Sequence, residues 1–70
     1  MEKVLAPIPG KILEISVKEG QKVSAEDIVL ILEAMKMENE VYCETDGVVE
    51  AINVKVGDSV AANDVLLIIK

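Results

Sequence analysis

An internal repeat constrains the fold of this chain more strongly than any other feature of its sequence. Residues 10–32, GKILEISVKEGQKVSAEDIVLIL, align without a gap to residues 47–69, GVVEAINVKVGDSVAANDVLLII, at an offset of 37. Ten of the 23 aligned pairs are identical, and four of the other 13 exchange one apolar residue for another. Because a solenoid needs three or more repeats, a repeat present twice predicts one pseudo-symmetric domain over residues 1–70.

Each copy of the repeat is predicted to begin with a strand, followed by a glycine turn, a short apolar step at Val23 or Val60, a polar loop and a continuous apolar run. After Gly10, the alternation of Ile15 and Val17 with Ser16 and Lys18 is typical of a strand that buries one face. The motif KEGQ in the first copy and KVGD in the second predict a turn, because glycine adopts positive φ angles that other residues resist. A continuous apolar run then follows the polar loop, SAED or AAND.

The apolar run of the first copy, residues 28–32, allows two interpretations. Ser24 could act as the N-cap of a helix that continues to residue 40. The run is too apolar for its periodicity to decide, but its short length, its branched residues and its echo at residues 65–69 favour a buried strand. With a strand here, the segment ENEVY alternates as its hairpin partner, and Lys36 lies at the tip of the turn AMKM.

Composition indicates an all-β fold. Val and Ile together contribute 19 of the 70 residues, and β-branched side chains favour strands over helices. A chain this short is stable only with a dense core, which a content of 51% hydrophobic residues can supply. Two copies of about four short strands each predict a flattened antiparallel β-barrel or sandwich with an approximate two-fold axis.

Charge and residue usage exclude several classes of function. The net charge is −6, with no His and no Arg, so we expect neither nucleic acid nor an anionic membrane as a partner. No apolar run approaches the roughly 20 residues of a membrane helix, and no N-terminal signal segment is present. Cys43 is the only cysteine and is expected to be a small strand residue. These features predict a cytoplasmic chain, and the lack of His and of metal-ligand spacing argues against a metal site and against an enzyme.

The stretch EAMKMENE at residues 33–40 is not explained by the repeat. Lys36 has no counterpart in the second copy, which stops after its apolar run. Met35 and Met37 flank the lysine, although an exposed methionine contributes neither burial nor solubility. Hairpin turns also favour Asn, Gly or Asp, which AMKM lacks. From the residues alone, the tip fits either a lysine that is modified or bound by a partner, or an ordinary solubilising lysine.

The tip and its surroundings resemble the biotinyl domains of the biotin carboxyl carrier family. EAMKMEN resembles the motif in which this family joins biotin to a lysine by an amide bond. APIPGKI at residues 6–12 and GDSVAANDVLLII at residues 57–69 resemble the family's first and last segments. Gly20 and Gly47 lie 16 residues before and 11 residues after Lys36, as in biotinyl and lipoyl domains. The resemblance implies a barrel-sandwich hybrid of two four-stranded antiparallel sheets, with both termini in one sheet and the lysine hairpin in the other.

The resemblance also implies a role for each residue of the tip. Lys36 would carry covalent biotin, a biotin protein ligase would recognise Met35 and Met37, and Glu33 and Ala34 would complete the attachment motif. The domain would be a monomeric, non-catalytic carrier that moves an activated carboxyl group from a biotin carboxylase to a carboxyltransferase or decarboxylase.

The connection VKEGQKV bears on the type of carrier. It is too short to hold the thumb that some acetyl-CoA carboxylase carriers insert between their second and third strands. The resemblance is therefore to thumbless carriers, such as those of propionyl-CoA or pyruvate carboxylases, transcarboxylase or sodium-pumping decarboxylases.

Three alternatives stay open on the sequence. A lipoyl-type acyl carrier shares the implied fold and the lysine, although such domains usually have Asp-Lys-Ala at the tip. An unmodified barrel-sandwich interaction module would not need Lys36. Gly47 is expected to be structural, and a role in letting its loop lie close to the hairpin is an alternative.

Overall fold

The computed structural model describes every residue, Met1–Lys70, as eight β-strands joined by turns and loops. It contains no α-helix, and therefore no helix that is long and apolar enough to cross a membrane. The prediction of an all-β fold is confirmed. In chain order the strands are β1 (Glu2–Leu5), β2 (Gly10–Ile15), β3 (Lys22–Val23), β4 (Ile28–Ala34), β5 (Met37–Tyr42), β6 (Gly47–Ile52), β7 (Ser59–Val60) and β8 (Val65–Ile69).

The apolar run that allowed two interpretations forms strand β4, and the helix interpretation is wrong. β4 lies between β2 and β5 and pairs antiparallel with both, so neither of its edges is exposed. Leu30 and Leu32 are completely buried. Ser24 does not cap a helix but lies in a turn, where its N–H donates to Asp27 Oδ2 at 2.9 Å. A run that is apolar on every side suits a central strand, whereas a surface helix would expose part of it.

The strands form two four-stranded antiparallel sheets, as the resemblance implied. The terminal sheet has the order β1-β8-β6-β3 and contains the first and last strands of the chain. The hairpin sheet has the order β5-β4-β2-β7 and contains the β4–β5 hairpin. Both termini therefore belong to one sheet and the candidate lysine to the other.

The offset of 37 residues relates the two sheets strand by strand. It takes β2 to β6, β3 to β7 and β4 to β8, and it also takes β1 to the second half of β5. Backbone hydrogen bonds repeat at the same offset. Gly20 N donates to Val49 O and Gly57 N donates to Ile12 O, each at 2.8 Å. The predicted two-fold pseudo-symmetry is therefore present in the hydrogen bonding as well as in the strand order.

The pseudo-symmetry extends beyond the part of the chain that repeats in sequence. Ala6 N donates to Asp64 O, and at the same offset Cys43 N donates to Asp27 O, both at 2.9 Å. Neither Ala6 nor Cys43 lies within the aligned segments. The segments before each copy thus occupy equivalent places, although their sequences have diverged.

One aliphatic core lies between the sheets. All 16 buried residues are apolar, and 15 of them form a single cluster that draws on both sheets. Val17 is buried and Val54 partly buried, as the predicted alternation requires, but both lie just beyond the ends of β2 and β6. Cys43 is also buried just beyond its predicted strand, and its Sγ–H donates to Thr45 O at 3.0 Å.

Two glycines allow neighbouring segments to approach closely, one within each sheet. A Cβ on Gly47 would lie 2.5 Å from the backbone oxygen of Lys70, and a Cβ on Gly10 would collide with the backbone oxygen of Glu33. The alternative role for Gly47, close approach to the hairpin, is therefore wrong, because Gly47 approaches the end of β8. Its pseudo-symmetric partner Gly10 approaches the hairpin instead, because Glu33 lies near the end of β4, next to the hairpin turn.

Gly10→Ala and Gly47→Ala are expected to lower the free energy of unfolding by about 2 kcal/mol or more, because a backbone atom must move in each case. Gly20→Ala is the matched control. Gly20 has a φ of +86° but open space around it, so we expect a loss of only about 1 kcal/mol from backbone strain. Guanidinium unfolding measures all three.

The site of each disturbance provides a second readout. Backbone NMR shifts should change at Glu33 in Gly10→Ala and at Lys70 in Gly47→Ala. If the largest shift changes in Gly47→Ala occur in the β4–β5 hairpin rather than at Lys70, the assignment of the two close approaches is contradicted.

Candidate functional site

The hairpin between β4 and β5 ends in a two-residue turn. Ala34 pairs with Met37 across the strands, so Met35 and Lys36 alone form the loop. Their φ angles are +55° and +63°. A two-residue hairpin loop with two positive φ angles matches a type I′ turn, whose twist suits the strands that it joins. The prediction that Lys36 lies at the hairpin tip is confirmed.

The turn is strained, because neither of its residues is Gly or Asn. A left-handed backbone conformation costs an ordinary L-residue roughly 1–2 kcal/mol, since Cβ lies too close to the following carbonyl. Met35 and Lys36 both adopt it. Such strain persists where surrounding structure enforces it, and it is concentrated at functional positions. The backbone conformation of Met35 and Lys36 therefore lowers the stability of the hairpin at the place where these two side chains are exposed.

Exposure divides the motif into a surface part and a buried base. Met35 is 91% exposed and Met37 is 66% exposed, and Lys36 is exposed between them. Ala34 is buried at the end of β4. The four residues thus combine a buried base with a tip whose side chains are exposed.

The charged groups near the tip leave the Lys36 ammonium without a partner. The only ion pair of the domain joins Lys70 to Glu50, at 3.0 Å, and Lys36 makes no side-chain hydrogen bond. Glu33 is exposed and lies directly opposite Glu38 in the hairpin register. Like charges in that position destabilise a sheet, so the base of the tip carries a second local cost.

Asn39 braces the hairpin, a role that sequence analysis did not identify. Its side-chain amide donates to Met37 O at 3.2 Å and to Leu32 O at 3.4 Å, one carbonyl on each strand. Asn39 lies opposite Leu32 in the register. The brace depends on that pairing, so an alternating strand pattern alone could not reveal it.

Tyr42 and Glu40 form the other polar contact on β5. The Tyr42 hydroxyl donates to Glu40 Oε1 at 3.2 Å. This hydrogen bond raises the pKa of Tyr42, and the negative charge of Glu40 adds to the effect, because both disfavour the phenolate. Both residues are on the exposed face of the hairpin sheet.

The surface grooves of the domain lie away from the turn. One is lined by residues of β1, β5 and their following loops, and the other by Glu2, Lys3 and the segment from Cys43 to Thr45. No residue from 33 to 38 lines either groove. The second groove also places the N-terminus beside the far end of β5, in a domain 31 Å long. The lysine tip and the chain ends therefore lie at opposite ends of the molecule.

One family model and several known proteins match the chain. The family model described as "Biotin-requiring enzyme" matches residues 2–69. The chain is 66% identical over 38 residues to glutaconyl-CoA decarboxylase subunit gamma of Acidaminococcus fermentans, covering 54% of this chain and 26% of that protein. It is 50% identical over 46 residues to the biotin carboxyl carrier protein of Streptococcus mutans, covering 66% and 35%.

A solved structure supports the same relationship. The urea carboxylase of Kluyveromyces lactis contains a region that matches 99% of this chain with a TM-score of 0.92 and 35% sequence identity. That match covers 6% of the urea carboxylase chain. The present chain thus corresponds to a small part of each of these relatives, and the fold predicted for it is confirmed.

Met35→Asn is expected to raise the free energy of unfolding by about 1 kcal/mol, because Asn tolerates the left-handed conformation better than Met. Met37→Asn is the matched control. Met37 lies in β5 and is not among the residues with positive φ, and Asn is disfavoured in strands. Chemical denaturation of both variants tests the strain directly, and equal stabilisation by the two substitutions would contradict it.

Glu40→Gln is expected to lower the pKa of Tyr42 toward its usual value, because the amide of Gln has no negative charge and accepts a weaker hydrogen bond from the phenol. Tyr42 is the only aromatic residue, so its near-ultraviolet phenolate absorbance can be followed during an alkaline titration. Glu38→Gln, two residues earlier on the same strand, is the control and should leave the titration close to that of the wild type. A larger effect from Glu38→Gln would show that the contact is misassigned.

Proposed function

The chain belongs to the biotin/lipoyl family of biotin-requiring enzymes, and on that premise we propose that it is a biotin carboxyl carrier domain with biotin attached to Lys36. The observation that carries the proposal is the state of this lysine. Lys36 is exposed, has no ion-pair or hydrogen-bond partner, and lies on a strained turn that the rest of the domain holds in place. A group attached there extends into solvent from a fixed base.

The residues of the tip suit the formation of an amide. The Nζ atom of Lys36 is free to form the bond with the biotin carboxyl carbon after the ligase has activated that carboxyl with ATP, and AMP leaves from the carbon as the amide forms. The buried Ala34 and the Asn39 brace hold the base of the hairpin, so motion is confined to the lysine stem. When attached, biotin supplies the group that accepts and releases a carboxyl group, and the protein supplies position and recognition.

Met35 and Met37 are proposed to contact a biotin protein ligase. A methionine is flexible and polarisable, so it packs well against a partner surface of varied shape. Both side chains are exposed in the free domain, and neither has a role in its core. A contact with another protein accounts for their apolar character at this position, and Glu33 lies at the edge of the same surface.

The partners in turnover are proposed to be a biotin carboxylase and a carboxyltransferase or decarboxylase. The relatives named above include a decarboxylase subunit and a carboxyl carrier protein, and the six residues between β2 and β3 leave no room for a thumb. In this scheme the domain catalyses nothing itself and works in the cytoplasm as a monomeric unit. Tethering raises the effective concentration of the arm at each partner's active site.

Intact mass spectrometry tests the attachment site. After incubation with a biotin protein ligase, ATP and biotin, the wild type should gain one biotin and Lys36→Arg should gain none. Lys55→Arg is the matched control, since Lys55 is also an exposed lysine in a turn region, and it should gain one biotin. Absence of a biotin adduct on folded wild type would contradict the proposal. An adduct formed only by a lipoate ligase would favour the lipoyl-type carrier instead.

A further inference from the structure

The two methionines of the tip are largely exposed to solvent. Met35 is 91% exposed and Met37 is 66% exposed. Met35 lies in the turn and Met37 is the first residue of β5, so both exposed side chains are at the tip of the hairpin. Any small oxidant in solution can reach both sulfur atoms.

We propose that Met35 and Met37 form an oxidation-sensitive site whose conversion to sulfoxides blocks the loading of Lys36. This inference rests on the proposed function of Lys36 as an attachment site. The oxidant is a peroxide. Each thioether sulfur takes one oxygen atom as the O–O bond breaks, the sulfur is oxidised by two electrons, and the remaining oxygen of hydrogen peroxide leaves as water.

The block follows from the change in polarity. A ligase that reaches the Nζ of Lys36 must approach between the side chains of the residues on either side of it. Methionine gains from burial against such a partner, whereas a sulfoxide is polar and must give up its hydrogen bonds with water. The two modified side chains therefore oppose the contact that the unmodified ones favour.

The fold itself is not affected by the same oxidation. The 16 buried residues include no methionine, so a sulfoxide at the tip places no polar group in the core. The third methionine, Met1, is 84% exposed and lies at the opposite end of the domain. Oxidation thus changes the recognition surface around Lys36 and leaves the framework that holds it intact.

The oxidation of methionine to its sulfoxide can be reversed, so the site can act as a switch. Two reductases, one for each sulfoxide epimer, return it to the thioether. A domain that already carries its amide-linked group would keep that group, because the amide bond is not touched by this chemistry. Oxidation of the tip therefore acts on the unloaded domain.

The experiment compares loading rates before and after oxidation. Unloaded protein is treated with hydrogen peroxide, freed of the oxidant, and examined by peptide mass spectrometry for one added oxygen at each methionine. The kcat/KM of biotin loading by a biotin protein ligase is then measured. The double variant Met35→Leu/Met37→Leu is treated in parallel, and since it retains Met1 it reports any effect of oxidation elsewhere.

The expected result is a loss of kcat/KM of about tenfold or more in oxidised wild type, from the burial that one methionine loses. The oxidised-to-unoxidised ratio should stay near one in the double variant, whatever its own rate. Treatment with both sulfoxide reductases should restore the wild type, and its thermal unfolding should be unchanged by oxidation.

Three results would overturn the inference, and each is distinct. Unchanged loading of wild type with both sulfoxides present shows that the methionines are not a switch. An equal loss in the double variant assigns the effect to another position. A lowered midpoint of thermal unfolding shows that oxidation acts through the fold. If unoxidised wild type is not loaded at all, the proposed function fails first and this inference falls with it.

Discussion

The structure depends on the exchange of backbone hydrogen bonds between the two copies of the repeat. The short strand β3 belongs to the first copy but pairs with β6 of the second, and β7 of the second copy pairs with β2 of the first. The glycine turns also bond to the opposite copy, since the N–H of Gly20 donates to the carbonyl oxygen of Val49 and the N–H of Gly57 donates to that of Ile12. Neither copy can satisfy its own backbone groups or cover its apolar face alone. The domain is therefore expected to fold as one cooperative unit.

The lysine hairpin is the place where this symmetry is broken. At the offset of 37, Glu33 corresponds to Lys70 and Glu38 to Met1. The first copy thus connects through Met35 and Lys36 at the position where the second copy has the two ends of residues 1–70. Gly10 and Gly47 approach Glu33 and Lys70 in the same way, so the supporting structure is shared. Only the two-residue connection is particular to the hairpin, and it is the segment that carries the candidate site.

Much of this architecture could be predicted from the sequence, because the repeat and the branched residues constrain the chain locally. The strand predicted at residues 28–32, which the structure extends to Ala34, the glycine turns and the place of Lys36 all follow from such local patterns. Features that depend on register could not be predicted. The Asn39 brace requires Leu32 opposite it. The close approach to the hairpin, an alternative role for Gly47, belongs to Gly10, because Gly10 begins β2 beside β4 whereas Gly47 begins β6 in the terminal sheet. The attachment role of Lys36 comes from a resemblance, since residue chemistry alone left a solubilising lysine open.

Several unfavourable features of the domain lie close together at the hairpin tip, although Glu44 also has a positive φ. The strained turn at Met35 and Lys36, the exposed thioethers and the facing carboxylates of Glu33 and Glu38 would each be removed by selection for stability alone. They persist in a domain whose core contains only apolar side chains and no unpaired buried polar group. A swinging arm needs a base that does not move and a tip that partners can contact. In the proposed carrier, the symmetric framework meets the first need, and the strained, exposed tip meets the second. The same exposure that makes the tip available to partners also makes its sulfur atoms available to oxidants.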